Sequence, residues 1–406
     1  MKNLFRMIGI IALTTIILFT ATACGEPDDN SGKIITDQYV NAVKAEGSDF
    51  AEKLNWVKTN ASAGGMYAIE FSGNTLLSPQ VLDFSSAAQQ QAVRYSVSGE
   101  RNASNKEVII VLMKRSANIT IELNDKGCLF TLDKNVKLVL HNGVTLKGKT
   151  DNNNALVVVR DGTTFVMEND SVIRENDRNG NGAGVIVHNG GAFIMNGGTI
   201  TNCTVWNGNG REGGGVLLNN GSTFTMNNGV ITNCAARNGA GVYIEGGTFT
   251  MNSGEIINNE SKTYLNAAYD GGGGVNLTNA FLTSVVTGTF TMNGGTIANN
   301  VSHNIGGGVT AYAGIFNMTG GIITGNSALE GGGVYVSRAF FEKTGGIIYG
   351  ENAGESSNTA TRDANAGQAV KKDGYSHGGR AKVDATHSSG RLYAGENTDA
   401  GAWIKW

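Results

Sequence analysis

Six valines that each follow a glycine run recur along this 406-residue chain, at Val185, Val216, Val242, Val275, Val309 and Val334. Each is followed by a phenylalanine, at Phe193, Phe224, Phe249, Phe290, Phe316 and Phe341. Seven residues beyond each phenylalanine stands an isoleucine: Ile200, Ile231, Ile256, Ile297, Ile323 and Ile348. Steps of 31, 26, 33, 34 and 25 residues separate the valines. Three columns kept in order over six copies demand stacked repeats, because a unit this short cannot bury its apolar face alone.

The spacing inside a unit selects the architecture. In TFTMN (248–252) the apolar Phe249 and Met251 alternate with polar residues, as in a strand with one buried face. The runs are only four or five residues long between Gly and Asn, too short for a helix. A unit therefore reads as three strands, GVYIE, GTFTMN and EIINN, joined at corners where Gly and Asn accept positive φ. Each strand lies beside its own copy in the next coil, and the three faces enclose Val, Phe, Met and Ile. The expected fold is all-β: a single-stranded parallel β-helix of the pectate-lyase type, right-handed as parallel crossovers are. Only 2 prolines accompany 59 glycines, and neither lies in the repeats, where a missing N–H would break a ladder bonded on both sides. The recurrent Asn202, Asn233, Asn258 and Asn299 are expected to stack as a side-chain ladder at one corner.

GGGV followed by FTMN resembles the GGA(I/V/L) and FxxN repeats of chlamydial polymorphic membrane proteins, and more closely the β-helix repeat lipoproteins of spirochaetes and anaerobes. The FxxN form is complete at Phe193/Asn196, Phe224/Asn227, Phe249/Asn252 and Phe290/Asn293, and becomes FNMT and FEKT in the last two copies. The resemblance spans about residues 118 to 350 and implies a surface adhesin or surface lipoprotein. The chlamydial proteins carry a C-terminal membrane barrel. This chain ends too soon for one, so that export route is not expected.

The N-terminus points to another route. Lys2 and Arg6 precede an apolar run from Met7 to Phe19, too short to span a bilayer, and then comes LFTATACGEPDDN. The Ala-Thr-Ala-Cys ending resembles a bacterial lipobox, with Ala21 where leucine is usual, and implies acylation of Cys24. The expected organisation is a signal peptide (1–23), a lipid-anchored tether (24–47), an N-terminal cap (48–117), the β-helix repeats (118–353) and an irregular C-terminal cap (354–406). Within the N-terminal cap, SDFAEKLNWVKTNA places Phe50, Leu54 and Val57 on one helical face, with Asp49 and Glu52 as a capping box. That helix would cover the open end of the column, and Trp403, Ile404 and Trp406 would plug the other.

Of 31 Lys and Arg, 29 remain after Lys2 and Arg6 are cleaved, against 34 acids, so no basic footprint for nucleic acid is expected. Cys203 and Cys234 occupy matching ITNC positions in neighbouring coils, within reach of a disulfide or stacked as two free thiols. A polysaccharide lyase or hydrolase would need clustered carboxylates. Glu212 and Asp270, each before a glycine run and two coils apart, are the nearest approach to such a pair, although corner acids beside glycine ordinarily serve as solvated turn residues. DRNGNG, with Asp177, Asn179, Asn181 and Gly182, resembles the start of a calcium loop, but His188 stands where such a loop needs glutamate. No metal or other cofactor is expected, and the five histidines show no ligand spacing.

Recognition is expected where the repeat is interrupted, at 204–212, 261–270 and 278–288. These segments carry Trp206, Tyr264, Tyr269 and Phe281, which either contact a ligand or fold back as packing. The sequence reading is a lipid-anchored monomer on the outer membrane or cell surface. It would bind a host or matrix protein or glycan, or act as a scaffold, without catalysis. The alternative is a carbohydrate-active β-helix enzyme.

Overall fold

The computed structural model describes residues 38–85, 107–206, 212–262, 271–278, 288–350, 356–361, 370–372, 380–383 and 403–404. Asn41–Trp406 forms one compact unit, separate from Met1–Val40. That unit is a parallel β-helix. Its phenylalanine face is a thirteen-stranded sheet and its valine face a ten-stranded one, both running coil after coil in sequence order. Almost every pairing is parallel, and the repeats stack without slippage. Val216 pairs with Val185 and Val242, Phe249 with Phe224 and Phe290, and Ile256 with Ile231 and Ile297. The three columns read from the sequence are thus the inward residues of the three faces around one core.

The phenylalanine column extends one coil earlier than the glycine runs suggest. Rings from Phe165 to Phe341 form a continuous stack with centroids 4.6–5.3 Å apart, close to the spacing of adjacent strands. A methionine column runs beside it from Met167 to Met318 and ends at Lys343, which pairs with Met318 and is buried. Coil stacking also begins before residue 118. Met66–Phe71 and Val108–Lys114 are rungs of the phenylalanine face, and Val43–Lys44 pairs beside the first of them.

Phe50–Asn60 is the expected capping helix. Asp49 accepts the N–H of Glu52, and the Glu52 carboxylate accepts the N–H and hydroxyl of Ser48. Its buried Phe50 lies 6.0 Å from both the Phe71 and Phe130 rings, sealing the N-terminal end of the core. At the other end, Trp403–Ile404 pairs antiparallel with Arg380–Val383 and finishes the phenylalanine-face sheet as a strand.

Two details differ from the three-strand unit. A fourth, two-residue strand follows the isoleucine rung in most coils, as in Ala235–Ala236, Glu260–Ser261 and Val301–Ser302. The bend between them needs a left-handed residue, and Asn202, Asn233, Asn258 and Asn299 supply it with φ of 52–56°. The ladder expected of these asparagines is formed instead by the next residue. Asn259, Asn300, Asn326 and Asn358 are buried, and each side-chain oxygen accepts both the backbone N–H and, where the previous residue is Asn, the amide of the coil before. An inward amide suits this place because it satisfies corner backbone groups that no strand reaches.

The FxxN asparagines make a second ladder, outside the column. Asn227 donates to Asn196, Asn252 to Asn227 and Asn293 to Asn252, all at 2.9 Å. Thr319 of the altered FNMT copy continues it by donating to Asn293 at 2.8 Å. The glycine runs have a packing role. Gly213 adopts φ +69° and folds back on Leu217, the outward residue of the valine rung, which is only 3% exposed. A Cβ at Gly215 would stand 2.6 Å from the carbonyl oxygen of Gly241 in the next coil.

Candidate functional site

The early coils carry charge on the outside of the isoleucine face. In the strands Ile119–Leu123, Val144–Lys147 and Val172–Asn179 the inward residues are Ile121, Leu146 and Ile173, so alternation turns Glu122, Lys147 and Arg174 outward. Register sets these three directly above one another. Lys147 Nζ lies 3.1 Å from Glu122 and 3.9 Å from Glu175, and Arg174 also contacts Glu175. Glu175 itself occupies the left-handed corner, φ 56°, that asparagine holds in later coils.

Around this cluster lies a groove of about 420 Å³, lined by Glu122, Lys147 to Thr150, Glu175, Asp177, Asn202, Thr204 and Asn233. Lys149 Nζ donates to the Asn124 carbonyl at 2.6 Å at its edge. The two glutamate carboxylates are bridged by one ammonium and therefore lie within about 7 Å of each other, comparable to the carboxylate separations of glycosidases. Half-exposed ion pairs of this kind contribute little stability.

The other candidate residues fall differently. Glu212 receives the Asn181 amide at 2.8 Å and pairs through its backbone with Asn238, a corner role. The position matching Asn238 in the following coil belongs to Gly271, which accepts the Gly239 N–H and pairs with Ile305. Gly271 therefore continues the column in which Glu212 sits; Asp270 lies outside the described residues. DRNGNG is strand and turn: Asp177 and Asn179 pair with Thr204 and Trp206, and the Arg178 guanidinium donates to the carbonyls of Asn181 and Gly182. The Asn181 side-chain oxygen, which a calcium loop would turn to the ion, accepts the Glu212 N–H instead. Among the described residues no group of three or more His, Cys, Asp or Glu is placed to hold a metal.

Cys203 and Cys234 are buried free thiols. They occupy the inward place that Asn259 and Asn300 hold further along, next to Asn176 in the same register. Their mutual hydrogen bond, together with burial, pushes the Cys203 thiol well above its ordinary value. Cys128 is separate; burial raises it to about 11, and it donates to the Phe130 carbonyl. Trp206 ends the strand Thr199–Trp206, its backbone paired with Asn179. Tyr264, Tyr269, Phe281 and Cys24 lie outside the described residues.

The groove was not among the sequence candidates. Its charged residues, Glu122 to Asp177, precede the first glycine-run valine, so their register could not be carried back by that motif. The signal present was outward charge on alternating residues 25 and 27 apart, at Glu122, Lys147 and Arg174. No protein-family model, curated protein or solved structure matches this chain.

Proposed function

We propose that this protein is a lipid-anchored cell-surface β-helix that acts by binding, as an adhesin or surface scaffold, and is not a catalyst. The observation that carries the reading is the placement of the coil interruptions. Thr204, Ala235 and Glu260 share one register position, so the described strands stop at matching places before 207–211 and before 263–270, one at Trp206 and the other just past Glu260–Ser261. The ladders pair on either side of both interruptions, and interruptions of a solenoid repeat are where recognition is placed. Trp206, Tyr264 and Tyr269 are the contact residues proposed there, with Phe281 on the third interruption. Acylation of Cys24 attaches the column to a membrane; among the described residues no helix is long and apolar enough to span one.

The test is adhesion of beads carrying the full chain to cells and to extracellular matrix. Saturable adhesion, competed by free protein, is expected. Indifference to every surface, or turnover of a glycan on the beads, would contradict the reading. The carbohydrate-active alternative draws on the bridged Glu122 and Glu175, and turnover lost in Glu175→Gln would favour it.

A further inference from the structure

We propose that the groove along the isoleucine face binds a linear chain of neutral hexoses laid parallel to the solenoid axis. This adds a glycan site on the column face to the binding function above, whose proposed contacts lie on the coil interruptions, and rests on that reading. Glu122, Lys147, Glu175, Asn202 and Asn233 each come from a successive coil, because Glu122 pairs with Lys147, Lys147 with Arg174, Arg174 with Thr201, and Thr201 with Thr232. Five rungs span about 19 Å at the strand spacing. A pyranose ring is about as long as one coil is tall, so a glycan keeps phase with the rungs. An extended peptide, at about 3.3 Å per residue, drifts out of phase within two coils.

The charges choose among glycans. Glu122, Glu175 and Asp177 face Lys147 and Lys149 in the same groove, with Arg174 against Glu175. A polyuronate would lie against three carboxylates, and a polyamine against two ammonium groups. Sugar hydroxyls donate to carboxylates and accept from ammonium groups, so a neutral chain satisfies both signs. The Asn202, Thr204 and Asn233 side chains continue the same mixed character at the groove's far end. The volume falls in the range of ligand clefts.

The test uses the full chain in a polyoxyethylene detergent, which carries no sugar headgroup, titrated calorimetrically with cellohexaose, maltohexaose, hexagalacturonate and the glucosamine hexamer. One neutral hexaose is expected to saturate the protein at least tenfold more tightly than either charged hexamer. Lys147→Met should weaken it at least tenfold and turn preference toward the glucosamine hexamer, because two carboxylates lose their shared cation. Glu122→Gln, which keeps the shape, should instead raise affinity for hexagalacturonate. No binding of either neutral hexaose, tighter binding of a charged one, or unchanged affinities in both variants would overturn the proposal. Adhesion measured in parallel keeps the two readings apart. A chain that adheres yet binds no neutral hexaose overturns the groove assignment alone, and one that does neither removes both.

Discussion

Replacing Phe249 by alanine removes one ring from the middle of the aromatic stack. The ring is fully buried and lies 4.6 Å from Phe224 and 4.9 Å from Phe290, within 5° of parallel to each. Truncating a buried phenylalanine costs about 3–5 kcal/mol, of which the two ring contacts account for about 0.5–1.5 each. The upper half of that range applies. The strand Thr248–Met251 is held by ladders to the coils on both sides, so the walls cannot close on the cavity. Thr250→Ala, on the same strand but facing outward, should stay within about 0.5 kcal/mol and serves as the control. Urea denaturation reads both, and amide exchange localises the loss. Exchange should accelerate in the coils of Phe224, Phe249 and Phe290 and remain unchanged at Val108–Lys114, since a solenoid couples chiefly to nearest neighbours. Equal urea midpoints for the two variants would refute the stacked column.

Three further outcomes are expected. Cys203→Asn with Cys234→Asn should join Asn176 to the Asn259–Asn358 ladder and stabilise the protein by about 1–2 kcal/mol in urea, and a loss of that size would show that the cysteine pair has a packing role amides cannot fill. Cys128, Cys203 and Cys234 should resist alkylation in the folded protein at pH 8, and all three should react after unfolding without reductant; two missing labels by mass spectrometry would mean that Cys203 and Cys234 are bonded. Cys24→Ala should move the protein from membranes to the soluble fraction, and continued detergent partitioning would exclude the lipid anchor.

Regions with strong periodicity were legible in sequence because the fold is itself periodic. The Val, Phe and Ile columns, the strand faces and the Asp49 cap all follow from residue type and spacing. Legibility failed where a corner decides the outcome. Adjacent asparagines such as Asn258 and Asn259 look alike in sequence, yet one adopts positive φ and the other points inward, and only the backbone distinguishes them. The same held for Gly271, where a run of four glycines hides which residue keeps register with Asn238. The groove was hidden for another reason. Glu122, Lys147 and Arg174 belong to coils without glycine runs, so neither their register nor their shared face could be counted from the motif.

The claim that cell adhesion is carried by the coil interruptions is tested most directly by excising 207–211 and 263–270. Joining Trp206 to Glu212 and Lys262 to Gly271 recreates the link that Arg237 and Asn238 make in the uninterrupted coil, so every rung keeps its partner. Melting and cell-binding curves measured on the same two variants decide the matter. The account predicts an unchanged melting temperature with binding abolished, and Trp206→Ala with Tyr264→Ala reproducing most of the loss. A lowered melting temperature with binding intact would contradict it.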